Sequence, residues 1–115
     1  KSQLIMLCLV VLVFVLISSG VDGEICFEIV MEDSYGDGFN GNEIVIEKEG
    51  EIIFNTTLKN GFFGTANVCL VEEACYFSWI RKGYFTEEIS WSFTGTDLKK
   101  EGDSVAQFQV VRSLS

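Results

Sequence analysis

The sequence predicts an all-β protein, an antiparallel β-sandwich of about seven short strands preceded by a signal-peptide segment. Apolar and polar residues alternate with a period of two in several short segments. Turn-forming residues recur roughly every 8–12 residues, and no segment combines a 3.6-residue apolar period with helix caps. These observations favour an immunoglobulin-like or jelly-roll-like sandwich, with a small open barrel as the alternative.

The first 23 residues are predicted to be a secretory signal peptide. Lys1 gives a positive start, Leu4–Ile17 is an apolar run, and the small and polar residues of Ser18–Gly23 suit a cleavage site. A membrane-spanning helix needs about 20 apolar residues, so the short run favours a cleaved signal over an uncleaved anchor. Residues 24–115 are then expected to form a single β-sandwich domain.

Seven segments of the remaining chain carry a strand pattern. In chain order they are Glu24–Glu32, Glu43–Glu49, Glu51–Thr57, Thr65–Val71, Cys75–Arg81, Glu88–Thr94 and Ser104–Arg112. Glu49-Gly50 between the second and third predicts a β-hairpin, and Gly95–Asp103 is predicted to be a polar loop. Trp79 and Trp91 are in phase with other apolar residues on their strands, so both are expected in the core.

The composition excludes several classes of function. The chain has 8 Lys+Arg against 17 Asp+Glu, a net charge of −9, and no histidine. Without histidine there is no Ser-His-Asp triad, no Cys-His pair and no zinc site with a histidine ligand. The acid excess argues against binding nucleic acid or a membrane through a basic face. No nucleophile has a recognisable base, so the chain is predicted not to be an enzyme.

The segment Asp33–Asn42, with the sequence D-S-Y-G-D-G-F-N-G-N, is the densest functional signal. Three glycines, two aspartates and two asparagines fall within ten positions. Calcium favours clustered carboxylates with amide and backbone oxygens on a chain that can bend around the ion. An EF-hand is excluded because Tyr35 occupies its third position and Ile44 its twelfth. The alternative is a structural connection in which glycine and asparagine supply positive φ angles.

This segment resembles the D-x-Y-G-D-G-W-N-G signature of a secreted β-sandwich repeat family found in extracellular proteins of algae, other protists and bacteria. Later segments resemble the family pattern in order and spacing: Val68–Leu70, Cys75-Tyr76 and Tyr84–Trp91. Phe39 stands where the family usually has Trp, and Ala74 where Gly commonly precedes the Cys-Tyr pair. The resemblance covers about Ile25 to Phe93. It implies an extracellular, non-catalytic module and does not specify a ligand.

We predict that the loop forms a calcium site with Asp33, Asp37, Asn40, Asn42 and Glu88 as ligands. The chain must curl at its glycines, which aims the two aspartates inward, and the asparagines add amide or backbone oxygens. Glu88 is the distant candidate because it opens the strand whose motif accompanies this loop in the resembling family. Five such oxygens, completed by water, suit a calcium shell of about six to eight oxygens.

Three of the four cysteines remain once Cys8 leaves with the signal segment. Cys69 and Cys75 flank a five-residue turn between two predicted strands, which predicts a disulfide between them. The pairings Cys26–Cys69 and Cys26–Cys75 are also compatible with the sequence.

Asn55 opens an N-x-T sequon near a predicted strand end, so it is a predicted glycosylation site in a secreted chain. The favoured function is a secreted, non-catalytic binding or adhesion module, glycan-binding and calcium-stabilised, whose extracellular glycan or protein ligand is unspecified. A structural component of an extracellular matrix or coat is the alternative, and a small hydrolase is a distant third.

Overall fold

Two antiparallel β-sheets pack together in the computed structural model, which describes residues 2–5 and 23–112. The strands are β1 (Ser2–Ile5), β2 (Glu24–Asp33), β3 (Glu43–Lys48), β4 (Glu51–Thr56), β5 (Phe63–Val71), β6 (Cys75–Arg81), β7 (Ile89–Phe93), β8 (Lys99–Glu101) and β9 (Ala106–Arg112). One sheet has the order β1-β9-β6-β3-β4 and the other β5-β2-β7-β8. The predicted β-sandwich is confirmed.

The predicted signal segment lies mostly outside the described residues. Residues 6–22, which include Cys8, are not among them, and β1 pairs antiparallel with the end of β9. Cleavage of this segment stays a prediction. In the described part of the chain no helix is long and apolar enough to cross a membrane.

All seven predicted strands are present, each within two residues of its predicted ends. The predicted hairpin is confirmed: Glu49 (φ 53°) and Gly50 (φ 82°) join β3 to β4 in a two-residue turn with both φ angles positive. The sequence pattern does not predict β8, because the three residues of this strand are all charged. They join the sheet only through backbone pairing with β7.

The core lies between the inner faces of the two sheets. Inward residues of β2 alternate with exposed ones, and the ring of Phe93 is surrounded by three other aromatic rings. Their centroids lie 5.6, 5.9 and 5.6 Å away, in the tilted arrangements that aromatic pairs favour, and belong to Phe27, Trp91 and Phe108. Trp91 is therefore in the core as predicted. Phe39, which belongs to the segment Asp33–Asn42 (the glycine-rich loop), is also completely buried.

The predicted core position of Trp79 is wrong. Along β6 the buried residues are Tyr76, Ser78 and Ile80, so Trp79 lies on the outer face of the sheet and is only partly buried. Its Nε1 donates a hydrogen bond to Glu47 Oε2 at 2.7 Å, and the guanidinium of Arg81 lies 5.7 Å from its ring centroid. A period of two fits either face of a strand, so the alternation alone could not assign the face.

The predicted Cys69–Cys75 disulfide is wrong, because the structure joins Cys26 to Cys69 and leaves Cys75 as a free thiol. Cys26 on β2 lies directly opposite Cys69 on β5, both on the exposed outer face of one sheet. The turn after β5 carries the chain across to β6 in the other sheet, which separates Cys75 from Cys69.

We expect removal of this disulfide to cost far more stability than removal of the free thiol. The bridged residues are 43 apart in sequence, which corresponds to about 4 kcal/mol in the chain-entropy treatment of the unfolded state. Denaturant unfolding of a Cys26→Ser/Cys69→Ser variant measures that loss, with Cys75→Ser as the matched control. A non-reducing peptide map that links Cys75 to either partner would contradict the assignment.

Candidate metal centre

The strand alternation itself brings a carboxylate to the edge of the core. Along β2 the inward positions are Ile25, Phe27, Ile29, Met31 and then Asp33, which is 2% exposed. The last inward position of the strand therefore holds an acid where the pattern calls for an apolar residue. A buried carboxylate needs hydrogen bonds or a cation in place of the water it has lost.

The two oxygens of Asp33 have different surroundings. Oδ2 accepts hydrogen bonds from the backbone N–H groups of Gly36 at 2.6 Å and Asp37 at 2.8 Å. These bonds fold the start of the loop around the carboxylate. Oδ1 is buried and has no hydrogen-bond partner.

Two further carboxylates lie close to that of Asp33. One oxygen each from Asp33, Asp37 and Glu88 lies within 4.8 Å of the other two. Ligands on opposite sides of a calcium ion, each at about 2.4 Å, are about 4.8 Å apart, so a single ion can contact all three. The backbone brings Glu88 there, because its carbonyl accepts a hydrogen bond from Ser34 N–H at 2.9 Å.

The electrostatics of this cluster are unfavourable without a cation. Glu88 Oε1 is also buried without a hydrogen-bond partner. Burial raises the pKa of Glu88 above its usual value, and the charges of Asp33, Asp37 and Glu87 raise it further. The ion pairs found among the described residues are Arg81–Glu43 and Lys82–Asp103, so neither supplies a counter-charge to the cluster.

Asn42 was predicted as a ligand, but its side chain is engaged elsewhere. It is completely buried, and its Nδ2 donates to the carbonyls of Phe39 and Tyr84 at 2.7 Å. Its Oδ1 accepts from Gly83 N–H and from Thr86 Oγ1, also at 2.7 Å. All four hydrogen-bonding positions of the amide are therefore used, and no oxygen lone pair is left for a metal.

The role of Asn42 is to clamp two segments together. It ties the glycine-rich loop to the segment Gly83–Thr86, which leads directly into Glu88. The two segments can approach this closely only because residue 83 is glycine. A Cβ atom there would lie 2.6 Å from the backbone nitrogen of Asn42, which is too close. The sequence analysis did not single out Gly83, since its requirement arises only from this tertiary contact.

Asn40 was the other predicted amide ligand, and it supports the cluster from outside. Its Nδ2 donates to Asp37 Oδ1 at 3.1 Å, with a longer bond of 3.4 Å to the Gly38 carbonyl. Asn40 adopts a positive φ of 51°, which asparagine tolerates better than most residues. Of the five predicted ligands, the structure thus brings three carboxylates together and uses both amides to position them.

A surface groove and exposed aromatic side chains lie next to this centre, and the sequence analysis did not identify them. The groove has a volume of about 460 Å³ and is lined by Lys82, Gly83, Phe85, Thr86, Glu87, Gly102 and Asp103. Phe85 and Glu87 belong to the same short segment as Glu88, whose N–H donates to the Phe85 carbonyl. Tyr35 and Phe62 are exposed beside the loop, and the ring of Phe62 lies over Gly36.

Asn55 lies on β4, outside the centre. It is exposed and faces Val45 across the strand pair. Its glycosylation stays a prediction.

Comparison of the chain with protein-family models, with curated proteins and with solved structures finds no match. The resemblance to the secreted repeat family therefore stays a prediction.

We expect Asn42→Ala to destabilise the fold by about 3 kcal/mol, since one buried and three partly buried hydrogen bonds are lost at about 0.5–1.5 kcal/mol each. Asn40→Gly is the matched control, because glycine keeps the positive φ and only exposed or partly buried bonds are lost. Denaturant unfolding in chelator compares the two variants without a metal contribution. Equal losses for the two would contradict the clamp role of Asn42.

Proposed function

We propose that the protein is a secreted, non-catalytic binding or adhesion module that binds calcium at Asp33, Asp37 and Glu88 and recognises an extracellular ligand beside that ion. The observation that carries the proposal is the buried Oδ1 of Asp33, which lacks a hydrogen-bond partner on a carboxylate that lies within 4.8 Å of two others. A bound cation supplies the missing interaction. Three acidic oxygens of this kind favour a hard cation over a transition metal.

Calcium fits better than magnesium for two reasons. Asp33 ends β2, whereas Asp37 comes from a loop and Glu88 from the short segment before β7. The spacing of the last two to Asp33 can therefore adjust to the irregular shell that calcium accepts. Magnesium demands near-octahedral geometry at about 2.0–2.1 Å and gives up its water reluctantly. The disulfide on the outer face of the sheet supports an oxidising compartment, where such bonds persist.

Calcium should raise the thermal stability of the protein. At about 100 times its Kd, a ligand specific for the folded state adds about 2.7 kcal/mol. For a domain of roughly 100 residues that amounts to a rise in Tm of more than 10 °C. Calorimetric scans in calcium, magnesium and chelator measure the rise, which we expect to be smaller with magnesium.

Glu88→Gln should remove most of the calcium response and leave Tm in chelator unchanged or higher, because one repelling charge is gone. Asp37→Asn should blunt the response in the same way. Glu87→Gln is the matched control, since Glu87 is exposed in the same turn and lies outside the cluster. If millimolar calcium does not change the Tm of the unmodified protein, the proposal is overturned and the loop has a purely structural role.

A structural component of a matrix or coat is the second candidate, and β4 is the feature that favours it. This strand lies at an edge of its sheet and exposes Ile52 and Ile53. Exposed edge strands with apolar side chains can pair with another chain. A glycan on Asn55 of the same strand would oppose such pairing.

If β4 mediates assembly, the unglycosylated protein should form oligomers at high concentration and Ile52→Lys should suppress them, because charged residues block edge pairing. Sedimentation velocity over a concentration series measures this. Glu51→Lys is the matched control, since it places a lysine on the same strand at a position that is already charged and removes no apolar side chain. A monomer at all concentrations would exclude this second function.

A further inference from the structure

The groove beside the metal centre has the character of a small polar binding site. Its volume of about 460 Å³ lies within the usual range for small-ligand sites. Phe85 lines it together with the polar or charged side chains of Lys82, Thr86, Glu87 and Asp103 and with two glycines. Lys82 and Asp103 face each other there in an exposed ion pair at 3.4 Å.

Phe85, which lines this groove, has an unfavourable backbone conformation. Its φ is 55° and its ψ 44°, in the left-handed region, and its side chain is 56% exposed. A bulky residue is disfavoured in this region, because its Cβ comes too close to the following carbonyl oxygen. The exposed ring gains little from burial in return, so the fold itself does not account for an aromatic residue at this position. Strain of this kind tends to occur at functional sites.

We propose that this groove binds a neutral saccharide, with the ring of Phe85 stacking on the C–H face of a sugar. Hydroxyl groups of the sugar would bond to Lys82, Glu87 and Asp103, whose heads are donors and acceptors exposed to solvent. The charges select against other ligands. Two carboxylates against one ammonium in the groove, on a chain of net charge −9, repel acidic polysaccharides and anionic lipid headgroups.

The inference rests on the proposed function, since the ion and the groove share one turn. Glu88 binds the ion, while Thr86, Glu87 and Phe85 before it line the groove. Glu88 N–H donates to the Phe85 carbonyl at 3.0 Å, and Asn42 holds Thr86. An ion that fixes Glu88 therefore fixes the groove wall, which couples saccharide binding to calcium.

The test is binding of the purified protein to a printed array of neutral and acidic oligosaccharides, in calcium and in chelator. We expect retention on neutral saccharides in calcium and at least tenfold weaker retention in chelator. Phe85→Gly should lose at least tenfold in retention while keeping the fold, because glycine favours the positive φ. Tyr84→Ala is the matched control, since Tyr84 is an exposed aromatic neighbour that does not line the groove.

Three results would overturn the inference: no retention on any neutral saccharide, equal retention of the Phe85→Gly variant, or equal retention in chelator. The calcium shift in Tm is measured on the same samples, so a normal shift without saccharide binding removes the inference and leaves the proposed function intact. Co-sedimentation with phosphatidylcholine–phosphatidylserine vesicles tests the competing membrane ligand. Calcium-dependent vesicle binding that needs Phe85, without saccharide binding, would assign the surface to lipid instead.

Discussion

The buried carboxylate of Asp33 is the constraint on which the candidate site depends. It ends the inward series of β2, so the register of the sandwich fixes its place at the rim of the core. One oxygen organises the loop through two backbone N–H groups, and the other is left without a hydrogen bond. Leaving a charged oxygen buried and unpaired is costly, so the fold tolerates this position only with compensation nearby.

A cation would supply that compensation, and the other carboxylates of the proposed cation site come from parts of the chain far apart in sequence. The loop contributes Asp37, and the segment before β7 contributes Glu88, which is adjacent because β2 and β7 are neighbours in the sheet. Asn42 fixes the distance between these two segments through three hydrogen bonds. The centre is thus held by regular sheet pairing on one side and by a buried amide on the other.

The sequence predicted the features that follow from local patterns, such as strands and loops. It did not predict the features that depend on which distant segments meet in the fold. The alternation of apolar and polar residues predicted the strands of the core. The composition of the glycine-rich loop predicted that Asp33 and Asp37 lie together. The disulfide was mispredicted because nothing in the local sequence shows that β5 and β6 belong to different sheets. Asn42 looks like a ligand by composition, and only its buried contacts make it a clamp. The groove depends on Gly102 and Asp103 reaching Lys82, which no spacing rule predicts.

The residues that stabilise the fold are different from the residues of the proposed binding site. The aromatic core around Phe93 packs between the two sheets, and the Cys26–Cys69 bridge joins β2 to β5 within one of them. Neither includes a residue of the acidic centre. The centre itself opposes folding when no cation is present, because three carboxylates converge in a partly buried space. A protein stabilised elsewhere can carry such a cluster at a functional site. The left-handed backbone conformation of Phe85, three residues before Glu88, is a second local free-energy cost. The stability of the same core and disulfide offsets it.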